Sequence, residues 1–189
     1  AVGLSQGDNL FFFSKLRAAS ILKKDPYIED VQFSMQLPDT MLIQVKERKV
    51  RGYVPYLGTY LYIDEAGRVL DVQEACHDPA PMVKGLVFDS FTKGEIIPVE
   101  NPDALDVMLR VSQMMHKYEL LDIAMQIDVS DPKDVYADVN QVQFRLGEMD
   151  NSDQKIRVMV EVVKTIPKED RGTMDLRDLT KPMIFQYLT

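Results

Sequence analysis

Residues 25–48 read DPYIEDVQFSMQLPDTMLIQVKER, and their pattern sets the fold of the first part of the chain. Pro26 disfavours the helical conformation for Asp25 and so closes any helix that precedes it. Val31, Phe33, Met35 and Leu37 then alternate with Gln32, Ser34 and Gln36, the period of a strand with one wet face. Leu37-Pro38-Asp39-Thr40 supplies a turn, and a second strand runs from about Met41 to Val45, extending towards Val50. Upstream, residues 8–25 read as a helix. Leu10, Phe13, Leu16, Ile21 and Leu22 recur at helical spacing while Lys15, Arg17, Lys23 and Lys24 face water. Helix, strand, tight turn and strand make a small α+β unit over residues 1–51, with any further strand lying before Gly7.

From Gly52 the texture changes to short strands, and residues 52–189 read as a second, larger unit. Tyr60–Ile63 and Arg68–Val72 flank Asp64-Glu65-Ala66-Gly67, where Gly67 can take the positive φ that closes a hairpin loop. Pro79, Pro81, Gly85, Gly94 and Pro98 punctuate a looser stretch. Asn101-Pro102 then opens a helix with a cap, a first-turn proline and an acid at the positive end of the dipole. Leu105, Met108, Leu109, Ser112 and Met115 form its mostly apolar face. Three strands follow at Ala124–Val129, Val135–Val139 and Val142–Leu146. A second long helix begins at Asn151 or Ser152 and stops at Pro167. It buries Ile156, Met159, Val160, Val163 and Ile166 and leaves Lys155, Arg157, Glu161 and Lys164 on the surface. Thr173–Leu176 and Met183–Leu188 close the chain as strands. The whole is α+β.

Composition bounds the function. The 189 residues carry 30 acids against 22 bases, a net charge of -8. Nucleic acid binds by counterion release to clustered Lys and Arg, so this balance argues against it. No apolar run approaches the roughly 20 residues of a membrane span. A single Cys leaves no intrachain disulfide and no paired thiolates for zinc, and the two His are far apart. No segment has the glycine and Lys-Ser/Thr spacing of a phosphate loop.

The remaining chemical candidates have plain structural readings. Asp128, Asp131, Asp134 and Asp138 spread over a strand, a turn and another strand with Pro132 between them, so a solvated acidic surface is favoured over a cation site. Cys76-His77-Asp78 are consecutive and do not converge on one point, which favours loop residues over a catalytic cluster. Glu47-Arg48 reads as a salt-bridged strand end. The 11 Met fall mostly on the apolar stripes and serve as core filler. No cofactor, metal or catalytic residue is expected.

The order of features resembles a bacterial division family. Gly3-x-x-x-Gly7-x-Asn9-Leu10-Phe11, a helix, Asp25-Pro26-Tyr27-Ile28-x-x-Val31, Leu37-Pro38-Asp39-Thr40-Met41 and Ile43-x-Val45-x-Glu47-Arg48 are similar to the POTRA domain of the FtsQ/DivIB proteins. Tyr62-Ile63-Asp64-x-x-Gly67-x-Val69-Leu70, Pro81-x-x-x-Gly85, Leu146-Gly147, Lys155-Ile156 and Asp175-Leu176-Arg177 continue the likeness through nearly the whole chain.

That resemblance implies a POTRA domain at 1–51 and a β domain at 52–189. It implies a single-pass membrane protein, with tail and anchor expected before Ala1 and this region outside the cytoplasm at the septum. It also implies a non-enzymatic scaffold that binds FtsB/DivIC-like and FtsL-like partners, helps regulate septal peptidoglycan synthesis, and meets other septal proteins through the POTRA domain. The family's partner docks near the C-terminal sheet edge with help from the Arg of the Asp-Leu-Arg motif, here Arg177. Strand position adds Ile184, Phe185 and Tyr187, although Ile184 and Phe185 point to opposite faces and one of them belongs to the core. Two other classes are weighed. A polypeptide-transport component normally carries several POTRA units and a barrel; an enzyme using the aspartates would show metal-dependent stabilisation.

Overall fold

The computed structural model describes residues 13–36 and 38–188, and the chain divides between Lys49 and Val50 into two compact units. In the first, helix α1 (Lys15–Leu22) is capped by the Ser14 side chain, which accepts from the Arg17 amide. Strands β1 (Ile28–Gln36) and β2 (Thr40–Glu47) pair antiparallel, with Val31 opposite Val45 and Phe33 opposite Ile43. The Phe13 ring tilts against Phe33 at 5.5 Å.

The helix is shorter than its pattern implies, and its expected start at residues 8–12 lies outside the described residues. Its buried residue is Ala18, while Leu16 is 87% exposed. At about 100° per residue, placing Ala18 against the hairpin turns Leu16 to the far side, so Leu16 leaves the buried face expected for it. Leu37, the expected last inward residue of β1, also lies outside the described residues.

The second unit is built on a nine-stranded mixed sheet with the order β11-β10-β9-β8-β7-β6-β3-β4-β5. Its strands are β3 (Gly52–Tyr56), β4 (Thr59–Ile63), β5 (Val69–Gln73), β6 (Met82–Lys84), β7 (Ala124–Asp128), β8 (Val135–Val139), β9 (Val142–Gly147), β10 (Gly172–Asp175) and β11 (Phe185–Tyr187). Helices α2 (Pro102–Lys117) and α3 (Ser152–Thr165) bury Met108, Val111, Met115, Ile156 and Met159 with the inward strand residues Ile127, Phe144 and Leu146. Asn101 caps α2 by accepting from the Asp103 amide. Three adjacent strand pairs are parallel: β3 with β6, β6 with β7, and β9 with β10. The fold is α+β, a helix on a short sheet followed by a larger mixed unit with two long helices.

Lys155 corrects an expectation. It reads as a surface residue of α3 but is 3% exposed. Its ammonium donates to the carbonyls of Leu146 (2.8 Å) and Glu148 (2.6 Å) and to Asp150 Oδ1 (3.1 Å). Three donors meet three acceptors, which is what a buried ammonium requires.

Candidate functional site

The last hairpin is held together locally before it is placed in the sheet. After β10, Asp175 Oδ1 accepts the Arg177 amide at 3.0 Å and starts a turn. Asp178 then accepts from the amide and hydroxyl of Thr180 and pairs with Lys181 at 3.1 Å. These donors hold the Asp178 carboxyl down to about 2. The chain returns as β11, with Gly172 facing Tyr187 and Met174 facing Phe185. This places β11 at one edge of the sheet, outside β10.

The register fixes which backbone groups are turned outward. The Leu188 amide donates to the Arg171 carbonyl at 2.9 Å, so Leu188 and Arg171 form a hydrogen-bonded pair. Pairs alternate along an antiparallel ladder. Gln186 therefore bonds inward, while Phe185 and Tyr187 turn their N–H and C=O groups away from β10.

Side chains divide across the same strand. Phe185 packs against the helix-covered core, and its ring meets Tyr187 edge-on at 4.7 Å. Ile184 belongs to the other face and is 68% exposed; Tyr187 and Leu188 are 67% and 61% exposed. On the Phe185 side lies a concavity of about 860 Å³, floored by Met174, Met183 and Phe185 and walled by Val158 and Val162 of α3. On the Ile184 side lies a more polar one of about 730 Å³, lined by Gln143, Arg145, Thr173, Arg177 and Lys181. β11 is the ridge between them.

Arg177 stands at the rim of the polar concavity. Its Nη2 donates to Asp175 Oδ2 at 2.6 Å, and Nε lies 3.0 Å from both carboxylate oxygens. The guanidinium holds the Asp175 carboxyl below its ordinary range, and Asp175 in turn raises Arg177. One strand further in, Arg145 grips Asp134 through Nε (2.8 Å) and Nη2 (2.5 Å), and the Tyr136 hydroxyl donates to the same carboxylate. Arg145 lowers Asp134 accordingly. Each cation already carries a carboxylate, so the concavity is charged but locally neutral. Exposed pairs of this kind add little to fold stability, and their effect here is to fix geometry.

The structure thus brings Arg177, Ile184, Phe185 and Tyr187 to one edge, on two faces. Arg145, Lys181 and the α3 wall were not singled out from the sequence. The alternation Val142-Gln143-Phe144-Arg145-Leu146 carried the signal for Arg145, since it places Gln143 and Arg145 opposite the core.

The other chemical candidates lie elsewhere and serve the backbone. Tyr53 and Tyr62 stack edge-on at 4.7 Å and hold the loop of Cys76, His77 and Asp78 through its main chain. Burial pushes Tyr53 up to about 12 and raises the Cys76 thiol, opposite to what an activated thiolate needs. Asp128 and Asp131 accept amides in their own turns. No group of three or more His, Cys, Asp or Glu among the described residues is arranged to hold a metal ion.

Comparison with known proteins finds a domain family over the first 48 residues and relatives along most of the chain. Residues 1–48 match the family model described as POTRA domain, FtsQ-type. The chain is 21% identical over 185 residues to the cell division protein DivIB of Clostridium botulinum (strain Hall), covering 96% of this chain and 72% of that protein. It is 33% identical over 69 residues to DivIB of Staphylococcus aureus (strain MRSA252), covering 36% and 16% respectively. Against DivIB of Clostridium tetani the identity is 21% over 155 residues, 81% of this chain and 58% of the relative.

Proposed function

The chain belongs to the FtsQ/DivIB family of cell-division proteins, and from that premise we propose that it is a non-enzymatic divisome scaffold whose partner adds a strand to β11. The partner is an FtsB/DivIC-like protein acting together with an FtsL-like one, and the assembly contributes to control of septal peptidoglycan synthesis. Residues 1–51 are the POTRA domain, with further septal proteins as its partners, and residues 52–189 the β domain. The protein is anchored by a single membrane pass and acts outside the cytoplasm at the septum. Among the described residues no helix is long and apolar enough to cross a membrane.

The observation that carries this reading is the outward pair of Phe185 and Tyr187 backbone groups on an edge strand flanked by two concavities. An added strand takes its main-chain hydrogen bonds from that edge and sends alternate side chains to either side. Arg177 sits beside the polar side and completes the site. The non-enzymatic part of the reading is supported by the raised Cys76 thiol and by carboxylates engaged in turns and ion pairs.

Arg177→Glu tests the site. It sets an anion beside Asp175 and removes the guanidinium, so affinity for the FtsB/DivIC-like partner is expected to fall about tenfold or more. Unchanged affinity would place the binding site elsewhere.

A further inference from the structure

Lys155 is buried beneath the loop that joins β9 to α3, and its ammonium spans that loop. It binds the carbonyl of Leu146 on one side of Gly147 and that of Glu148 on the other, with Asp150 closing the third bond. Gly147 between them is left-handed, φ +64. Arg177 packs against Gly147. A Cβ built on Gly147 would stand 2.7 Å from Arg177 Cγ and 3.3 Å from Cδ, so the arginine's aliphatic stem rests directly on glycine backbone. The Leu176 amide donates to the Arg145 carbonyl at 2.8 Å, which keeps the end of β10 seated beside this loop.

These contacts meet on one loop: the ammonium holds the carbonyls on either side of Gly147, and the arginine stem packs on Gly147 itself. We propose that Lys155 is a positioning residue for Arg177, fixing the Gly147 platform on which the arginine lies and hence the direction in which its guanidinium is presented at the β11 edge. As a statement about binding this rests on the reading of that edge as the partner site; as a statement about Arg177 order it does not. The residue type is informative. A buried Met would fill the same space at lower desolvation cost, whereas an ammonium holds two carbonyls at a set spacing. Gly147 supports the stem and Asp175 holds the head. Without the platform, the Asp175 ion pair is the polar contact that, among the described residues, still restrains a long side chain with several free rotors.

The test uses the 189-residue chain with Lys155→Met and reads the Nε–H signals of two arginines by heteronuclear NOE. Arg177 rests on the Gly147 platform; Arg145, held by Asp134, does not. We expect the Arg177 signal to lose its order in the variant while Arg145 keeps it. Loosening of both arginines would indicate general destabilisation and overturn the proposal, as would an unchanged Arg177. If Lys155→Met does not fold, Asp150→Ala removes one acceptor from the exposed side of the loop, and it must loosen Arg177 in the same direction. A binding arm then separates the two claims. Lys155→Met should weaken the FtsB/DivIC-like partner about fivefold, and the loss should shrink to within about twofold when Arg177 is already Ala. Equal losses in both backgrounds would overturn the positioning role. Arg177 disorder with no loss of affinity in either background would uphold that role and remove the arginine from the partner site.

Discussion

The stem of Arg177 crosses Gly147 so closely that a methyl group at Gly147 would stand 2.7 Å from the arginine Cγ. Two parts of the chain that are 30 positions apart in the sequence, Leu146-Gly147 and Asp175-Leu176-Arg177, are therefore one structural feature. Gly147→Ala meets two obstacles, a left-handed φ of +64 and the arginine stem. The variant should lose about 1 kcal/mol or more in denaturant unfolding. Partner affinity should fall with it, and an unchanged midpoint would show that the loop yields freely.

Gly172 performs the corresponding service for β11. A Cβ there would run into the Phe185 ring at Cζ and lie 2.6 Å from the Gln186 carbonyl. Gly172→Ala should push β11 off β10 while leaving the helix-covered core intact. Faster amide exchange confined to Gln186 and Leu188, the two inward-bonded amides of this strand, with the Val135–Val139 strand still protected, is the expected result. Uniform loss of protection would contradict it.

The edge should tolerate acid well. Asp175, Asp134 and Asp178 are each more acidic than the ordinary value of 3.8, held down by Arg177, by Arg145, and by Thr180 with Lys181. A carboxyl with a depressed folded value stabilises the protein above its unfolded value and loses that contribution as pH falls through the folded one. The pairs should therefore persist below pH 3.8, with Asp178 titrating near 2. Carboxyl-carbon NMR titration checks this, and a midpoint at the ordinary value for Asp178 would refute it.

Asp138 shows the opposite behaviour. Burial raises its carboxyl, and Oδ1 is enclosed without a hydrogen-bond partner among the described residues. An acid with a raised folded value is a liability when ionised at neutral pH, and that liability is relieved on acidification. Asp138→Asn should stabilise the fold at pH 7 by up to about 1 kcal/mol after allowance for solvent screening. The gain should fade in acid. A lowered midpoint at pH 7 would show that the charge is used.

What the sequence disclosed and what it withheld divide along physical lines. The stripes of α2 and α3 and the alternation of β7, β8 and β9 were legible because each has one apolar face and one wet one. The opposite facing of Ile184 and Phe185 followed from the same period. β6 was not legible: three residues between Pro81 and Gly85 are too few to show any period, yet they join β3 to β7 in the middle of the sheet. Lys155 was read as a solvated lysine because its acceptors are main-chain carbonyls, which have no signature in a sequence. The turn at Leu57-Gly58 was missed for a related reason. Leu57 takes φ +48, a conformation for which Asn or Gly would have been the cue.

The central claim is that a partner strand pairs with β11, and amide hydrogen exchange with and without the FtsB/DivIC-like partner tests it most directly. Phe185 and Tyr187 have outward amides in the free protein and should exchange quickly alone and slowly in the complex, while Gln186, already bonded inward, changes less. Protection confined to residues 13–48, with Phe185 and Tyr187 unchanged, would contradict the account.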